Sequence, residues 1–372
     1  MKKSLRILGT RGIPAQHGGF ETFAQQLALY LVNRDWEVTV YCQRTGSGYS
    51  YEDSWNDIKL IHIPIKQTGA KGTIIFDWKS TLHASHYNDL ILTLGYNTAI
   101  FCVLYRLKGI TNLINMDGIE WRRDKWSFLE RGWLLLNEFA GCWLGNHLIA
   151  DHPEIKNHLT SRTRGDKITM IPYGSENITN ADESILQTYS LEPNKYVIVI
   201  ARPEPENSIF EIVSAFSSRQ RDMKLVVLGN FEQADPIYRE KVFSAASDEV
   251  VFPGAIYDKT TVEALRFYSF LYIHGHTVGG TNPSLVEALG AASAILAHDN
   301  IFNRWVIGDG GQFFSDTQEC GNQLEVLLSD QQLNLTMKLD SLKRFTSQFT
   351  LDRILSDYES LLLDAINKHQ ER

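Results

Sequence analysis

Three stretches of the chain offer, between them, small residues, hydroxyls and arginines suited to holding a phosphate. Gly9-Thr10-Arg11-Gly12-Ile13-Pro14, followed by Gly18-Gly19-Phe20-Glu21, reads as a glycine-rich turn between a first strand and a helix. Such a turn lets backbone N–H groups approach an anion, and the helix N-terminus adds about +0.5 of a charge. A tight turn without a ligand explains the same glycines, since βα turns favour glycine in general. His274-Gly275-His276-Thr277-Val278-Gly279-Gly280-Thr281-Asn282-Pro283-Ser284 runs into a second helix start, with Pro283 where a missing N–H costs nothing and Glu287 one turn further on. Phosphate at the helix end and hydroxyls on the Glu287 carboxylate would suit a nucleotide. Arg202, in Ala201-Arg202-Pro203-Glu204-Pro205-Glu206-Asn207, follows an apolar strand, and its forked guanidinium matches diphosphate oxygens. Pairing with Glu204 or Glu206 is the alternative.

Other chemistries fit less well. The glycines do not form Gly-x-Gly-x-x-Gly, and Cys42-Gln43-Arg44 lacks the acid that would hold an adenosine ribose, which disfavours a nicotinamide cofactor. Cys42, Cys102, Cys142 and Cys320 stand singly, as in a reducing compartment. His274 and His276 are expected to point to opposite faces of a strand end, so they would not converge on a metal, and none is expected. Trp121-Arg122-Arg123-Asp124-Lys125-Trp126, with Arg131 and Trp133, reads either as a membrane-interface cluster or as a solvated helix with its tryptophans turned inward.

The elements that must position these residues alternate. Leu5–Leu8, Glu37–Tyr41, Leu60–Ile63, Asp89–Leu94, Asn112–Asn115 and His147–Ala150 read as strands, and Phe20, Phe23, Leu27 and Leu31 share a helical face between the first two. The alternation restarts at Tyr196–Ile200 and continues through strands at 224–229, 250–252, 270–273 and 294–297, with helices at 209–216 and 283–290. Two doubly wound parallel sheets are predicted. Their ligands belong beyond the carboxyl ends of the strands, in a cleft between the two domains.

With 372 residues the chain exceeds the roughly 250–300 at which one core stops growing, so two domains are expected. The net charge is −8, with 20 Lys plus Arg against 16 Asp plus Glu up to residue 172 and an acidic remainder. That balance disfavours nucleic acid as a partner and leaves a mildly basic first half. The apolar run after Met1 is too short for a signal peptide, and Gly132–Ala150 is interrupted by Asn137, Glu138, Asn146 and His147. A cytoplasmic protein starting at Met1 is expected, with association at the inner membrane face as its one peripheral option.

Four separated motifs, in order, resemble the GT-B glycosyltransferases of glycosyltransferase family 4, and within them the bacterial rhamnosyltransferase-like branch. They are Gly9–Pro14 with Gly18–Thr22, Asn115–Trp121, Arg202–Asn207 and Gly279–Ala288, joined by the closing Phe349–Arg353 segment. The resemblance implies an α/β GT-B fold of two Rossmann-like domains facing a cleft. Residues 1–173 with about 350–372 would form the acceptor domain, the C-terminal helix crossing back to it, and 174–349 the nucleotide-sugar donor domain. It implies transfer of a sugar, L-rhamnose first among them, from a dTDP- or UDP-sugar to a glycan or lipid-linked glycan. The setting would be bacterial surface polysaccharide synthesis, such as lipopolysaccharide or capsule, with retention at the anomeric carbon and no cofactor or metal. Arg202 would meet the diphosphate, with Asn207 beside it; Gly280, Thr281, Asn282 and Ser284 the distal phosphate; Glu287 the ribose; and Ile256 the base. Gly18 and Gly19 would lie near the phosphates, Asp117 near the reacting carbon, and Arg11, Glu120 and Arg122 on the acceptor side. Asn207 and Gly279 stand where the broader family carries a lysine and a glutamate. A nucleotide-sugar epimerase of the same architecture and a non-catalytic nucleotide-sugar-binding protein are the competing readings.

Overall fold

The computed structural model describes residues 3–15 and 19–370. The chain divides into two units, one of residues 1–172 with 354–372 and one of residues 173–353.

In the N-terminal unit, short apolar runs pair into one sheet. Its strands are β1 (Ser4–Leu8), β2 (Glu37–Thr45), β3 (Tyr51–Trp55), β4 (Ile58–Ile65), β5 (Leu90–Leu94), β6 (Asn112–Asn115), β7 (His147–Ala150) and β8 (Ile168–Met170). They lie in the order β3-β4-β2-β1-β5-β6-β7-β8, and β3 alone runs antiparallel to its neighbour. Leu90, Ile91 and Leu92 are all buried, which is the signature of a strand covered on both faces. The covering helices include α1 (Gly19–Val32), α2 (Gly69–Ala84), α3 (Val103–Lys108) and α4 (Phe128–Leu144). Because α1 connects β1 to β2 while α2 leads from β4 across to β5, right-handed crossovers set α1 on one face and α2, α3 and α4 on the other.

The second unit carries six parallel strands: β9 (Tyr196–Ile200), β10 (Lys224–Leu228), β11 (Val250–Gly254), β12 (Leu271–His274), β13 (Ile295–His298) and β14 (Gly311–Phe314), in the order β11-β10-β9-β12-β13-β14. Val197, Val199, Leu225 and Ile273 build the core on one side of this sheet, and Tyr196, Ile198, Val226 and Tyr272 the core on the other.

The last helix, Leu351–Gln370, begins in the second unit and ends in the first. Thr350 bridges to Ser175 in the second unit. Tyr358 is buried in the first, its ring 4.7 Å from that of Phe23, and its hydroxyl accepts a hydrogen bond from Asn115 Nδ2 at 2.9 Å. Helix and α1 therefore cover the same face of the sheet. Strands β3, β8 and β14 were absent from the sequence expectation.

Candidate functional sites at the carboxyl edges of the two sheets

In a doubly wound sheet the ligand crevice opens where successive connections leave in opposite directions. In the N-terminal unit that point lies between β1 and β5, and in the second unit between β9 and β12.

Beyond β1 the chain turns at Gly9, whose φ of 85° and closeness to the Leu94 carbonyl leave no room for a side chain. Glu21, buried in the first turn of α1, accepts the Arg11 N–H at 3.0 Å, so the turn is fastened to the helix that follows. The Arg11 side chain is exposed and borders a cavity of about 290 Å³ at the carboxyl ends of β1, β2 and β4. Gln43, Arg44, Thr68 and Thr73 line it as well. Arg44 Nε donates to His62 Nδ1 at 2.9 Å. Gln43 and Arg44 belong to no phosphate motif, so nothing in the sequence announces this basic recess. Gly19 is exposed at the start of α1, whereas Gly18 lies outside the described residues.

Asp117 follows β6 and holds a left-handed backbone with φ of 50°, its N–H donating to Asn115 Oδ1 at 2.9 Å. A strained turn of this kind at a strand's carboxyl end is typical of functional sites, and Asp is among the residues that tolerate it. Glu120 is engaged within its own loop: its carboxylate pairs with Arg123 at 2.8 Å and its N–H donates to the Tyr96 hydroxyl at 2.9 Å. Arg122 is exposed beside the Trp121 ring. Trp121 turns inward, donating to Glu138 Oε2 at 2.8 Å. The structure brings Arg11, Asp117, Glu120 and Arg122 to the one carboxyl edge but gives Glu120 a partner already.

In the second unit Arg202 follows β9 with its side chain 71% exposed, 4.0 Å from Glu204, so the guanidinium is only loosely held. Asn207, expected beside the diphosphate, is instead buried and donates to the Arg202 carbonyl at 2.7 Å, so it shapes the loop rather than presenting its amide to a ligand. Thr277 donates both its N–H and its hydroxyl to the Glu206 carbonyl, at 2.9 and 3.0 Å, tying this loop to the one after β12. Gly275 makes that contact feasible, because a Cβ there would overlap the Asn207 carbonyl.

The second loop ends at the Pro283–Gly290 helix. Asn282 caps it, accepting the Ser284 N–H at 3.0 Å. Its carboxamide oxygen thus serves the helix, and a phosphate, itself an acceptor, would call on the Nδ2 amide. Ser284 Oγ lies 2.9 Å from the Tyr272 hydroxyl and accepts from Arg266 Nη2 at 2.9 Å. Thr281 is buried, and Gly280 is half-buried. Arg266, almost fully buried on the Lys259–Phe267 helix, also pairs with Glu287 at 2.6 Å. Glu287, expected to meet a ribose, is held from behind, and 40% of its side chain reaches solvent, which leaves an oxygen for a hydroxyl. Ile256 is half-buried against the core near the end of β11.

His274 and His276 are not on opposite faces. Residues two apart on an extended chain project the same way, and the two rings stack at 4.3 Å with 9° between their planes. Among the described residues no group of three His, Cys, Asp or Glu gathers as metal ligands. Burial foremost, then the charges of His276, Arg266 and His298, pushes His274 well below the ordinary imidazole range. Burial also raises the Tyr272 hydroxyl to about 12, so the Tyr272–Ser284–Arg266 chain keeps its phenol proton at neutral pH.

His62, His83, His147 and His298 are lowered too, burial being the largest cause in each. With folded values below the unfolded value of about 6.5, the unfolded chain takes up protons first as pH falls. Asp77 pulls the other way, because burial raises its carboxyl to about 7 and the folded chain therefore binds that proton first. In an Asp77→Asn variant, which removes that opposing group, stability is expected to decline from about pH 6.5 downward; urea midpoints of the variant check this, and a midpoint that rose on acidification would refute it.

The fold so assembled is the GT-B glycosyltransferase fold. In particular, the chain is similar to sucrose-phosphate synthase from Thermosynechococcus elongatus, at 14% identity and a TM-score of 0.81, covering 98% of this chain and 100% of that one. It is similar to HepE of Anabaena in complex with UDP and glucose, at 14% identity and a TM-score of 0.76, covering 97% and 99%. It also resembles a UDP-forming α,α-trehalose-phosphate synthase from Burkholderia xenovorans in complex with glucose-6-phosphate, at 10% identity and a TM-score of 0.73, covering 96% and 99%. Residues 2–176 match the family model DUF1972, a domain of unknown function. No curated protein matches the chain.

Proposed function

We propose that the protein is a glycosyltransferase that moves a sugar, L-rhamnose first among the candidates, from a dTDP- or UDP-sugar to a glycan or lipid-linked glycan during synthesis of a bacterial surface polysaccharide on the cytoplasmic side. The observation that carries this reading is the carboxyl edge of the second sheet. There an exposed guanidinium, Arg202, and the capped N-terminus of the Pro283–Gly290 helix stand at one switch point, with Glu287 fixed by a buried arginine. A nucleoside diphosphate fits that set: diphosphate on Arg202 and the helix end, ribose hydroxyls on Glu287, base beside Ile256. HepE, with the same fold, binds UDP and glucose.

The N-terminal unit takes the acceptor in this scheme, in the recess beside Arg11 and Arg44. The acceptor oxygen bonds to the anomeric carbon as the bond to the diphosphate breaks, with retention, and the departing diphosphate oxygen takes the acceptor proton. Asp117 is the second option for that proton. Backbone amides and Arg202 neutralise the leaving group, so a divalent cation is not required.

The test is thermal stability with UDP, dTDP and their sugars, in buffer containing a chelator. A nucleotide at 100 times its dissociation constant is expected to add about 2.7 kcal/mol. Arg202→Ala, at an exposed position, is expected to keep the parent's own stability and lose that increment. Equal shifts in parent and variant would misplace the donor site. Turnover of donor without acceptor would favour an epimerase instead.

A further inference from the structure

Helix α4 buries two polar side chains and exposes large apolar ones. Its buried face carries Asn137 and Glu138 beside Leu134, Ala140 and Cys142, while Phe128, Leu129, Leu136 and Trp143 are exposed, at 88%, 82%, 52% and 69%. The inward polar groups are satisfied. Asn137 accepts the Ile100 N–H and donates to the Trp133 carbonyl, and Glu138 accepts from Trp121, His158 and Arg162. A helix lying on a sheet ordinarily shows the reverse pattern, with its polar side outward.

The apolar surface extends beyond α4. Trp133 of α4 donates to the Asn97 carbonyl just before the turn that leads into α3, and Phe101 in that turn packs edge-on to Trp78 of α2 at 5.2 Å. Trp78, Leu82 and Leu107 are exposed along this same side of the sheet. Between residues 69 and 145, the exposed charged residues are Lys71, Lys79, Arg106, Lys108, Arg122 and Lys125 against Asp124 and Glu130. Exposed apolar surface on this scale marks an interaction site, and the exposed charges along the same stretch of chain are mainly basic.

We propose that this face docks on an anionic lipid bilayer, its tryptophans, phenylalanine and leucines entering at headgroup depth and its cations meeting lipid phosphates. The charge decides between occupants. A second copy of the chain placed face to face would set six cations and two acids against the same set, an excess of positive charge on both sides that is repulsive, whereas an anionic membrane surface is complementary. Among the described residues no helix is long and apolar enough to cross a membrane, so the contact is peripheral. The inference uses the N-terminal unit alone and does not depend on the donor chemistry above.

Co-sedimentation of the full chain with phosphatidylcholine vesicles, with and without phosphatidylglycerol, tests it. Binding is expected on the anionic vesicles and expected to weaken with salt. Leu129→Glu and Leu136→Glu, at exposed positions, should each weaken it about tenfold or more. Lys79→Glu with Lys125→Glu should do so on anionic vesicles only. Thermal shifts with nucleotide on the same variants should match the parent, which separates this proposal from the donor reading. A parent chain that stays with the supernatant, or binds equally after Leu129→Glu, overturns the proposal. So does a dimer that Leu129→Glu splits into monomers, because the face would then be a self-interface.

Discussion

Gly9→Ala is expected to lower the stability of the N-terminal unit by about 4 kcal/mol, the sum of left-handed strain of about 1–3 kcal/mol and a comparable cost of overpacking. The methyl group would fall on the carbonyl group of Leu94. That carbonyl belongs to β5, which pairs with β1 through Leu8 and Thr93, so neither strand can yield without opening the centre of the sheet. Gly46→Ala is the control. Gly46 also has a positive φ, 133°, but nothing lies within 4 Å of its added carbon. Urea unfolding of the two variants separates strain from overlap, and equal losses would mean that Gly9 is not as crowded as described.

The second large effect is Glu287→Ala. Removing this carboxylate leaves the Arg266 guanidinium, 4% exposed, without its 2.6 Å partner. Stripping one member from a fully buried pair costs about 3–5 kcal/mol; because Glu287 is partly solvated, about 2–3 kcal/mol is expected here. Glu287→Gln keeps an oxygen for Arg266 and should cost about 1 kcal/mol. It is therefore the variant in which nucleotide binding can be judged apart from folding. Identical denaturation midpoints for the Ala and Gln variants would show that the pair contributes nothing.

Much of this architecture was legible because strand and helix alternate plainly. Val197-Ile198-Val199 and Leu225-Val226-Val227 can be little else than buried strands. Strand β3 was not legible from its pattern, since Tyr51 to Ser54 are all exposed and no alternation marks them. Its turn did leave a trace: Asn56 and Asp57 both take positive φ, the two-residue hairpin preference of Asn and Asp. At the site, a motif marks the loops but not what each side chain holds within the fold. Asn207 donates to the backbone of its own loop, and the Asn282 oxygen caps the helix that follows it. Arg266 escaped notice because it meets Ser284 and Glu287 only through the fold, from a helix whose sequence says nothing of either. The histidine pair was legible, since a strand's period of two already places His274 and His276 on one face, and the opposite-face expectation ran against it.

The split ownership of the C-terminal helix sets the order in which the protein can be completed. A ribosome delivers residues 1–172 first, but their sheet still lacks the cover supplied by Tyr358, Leu355 and Leu362. Asn115, meanwhile, waits for the Tyr358 hydroxyl. The whole of residues 173–353 must leave the exit tunnel before that cover arrives. The domain made first is thus the one finished last, and a nascent chain halted near residue 350 would display an open apolar strip along α1.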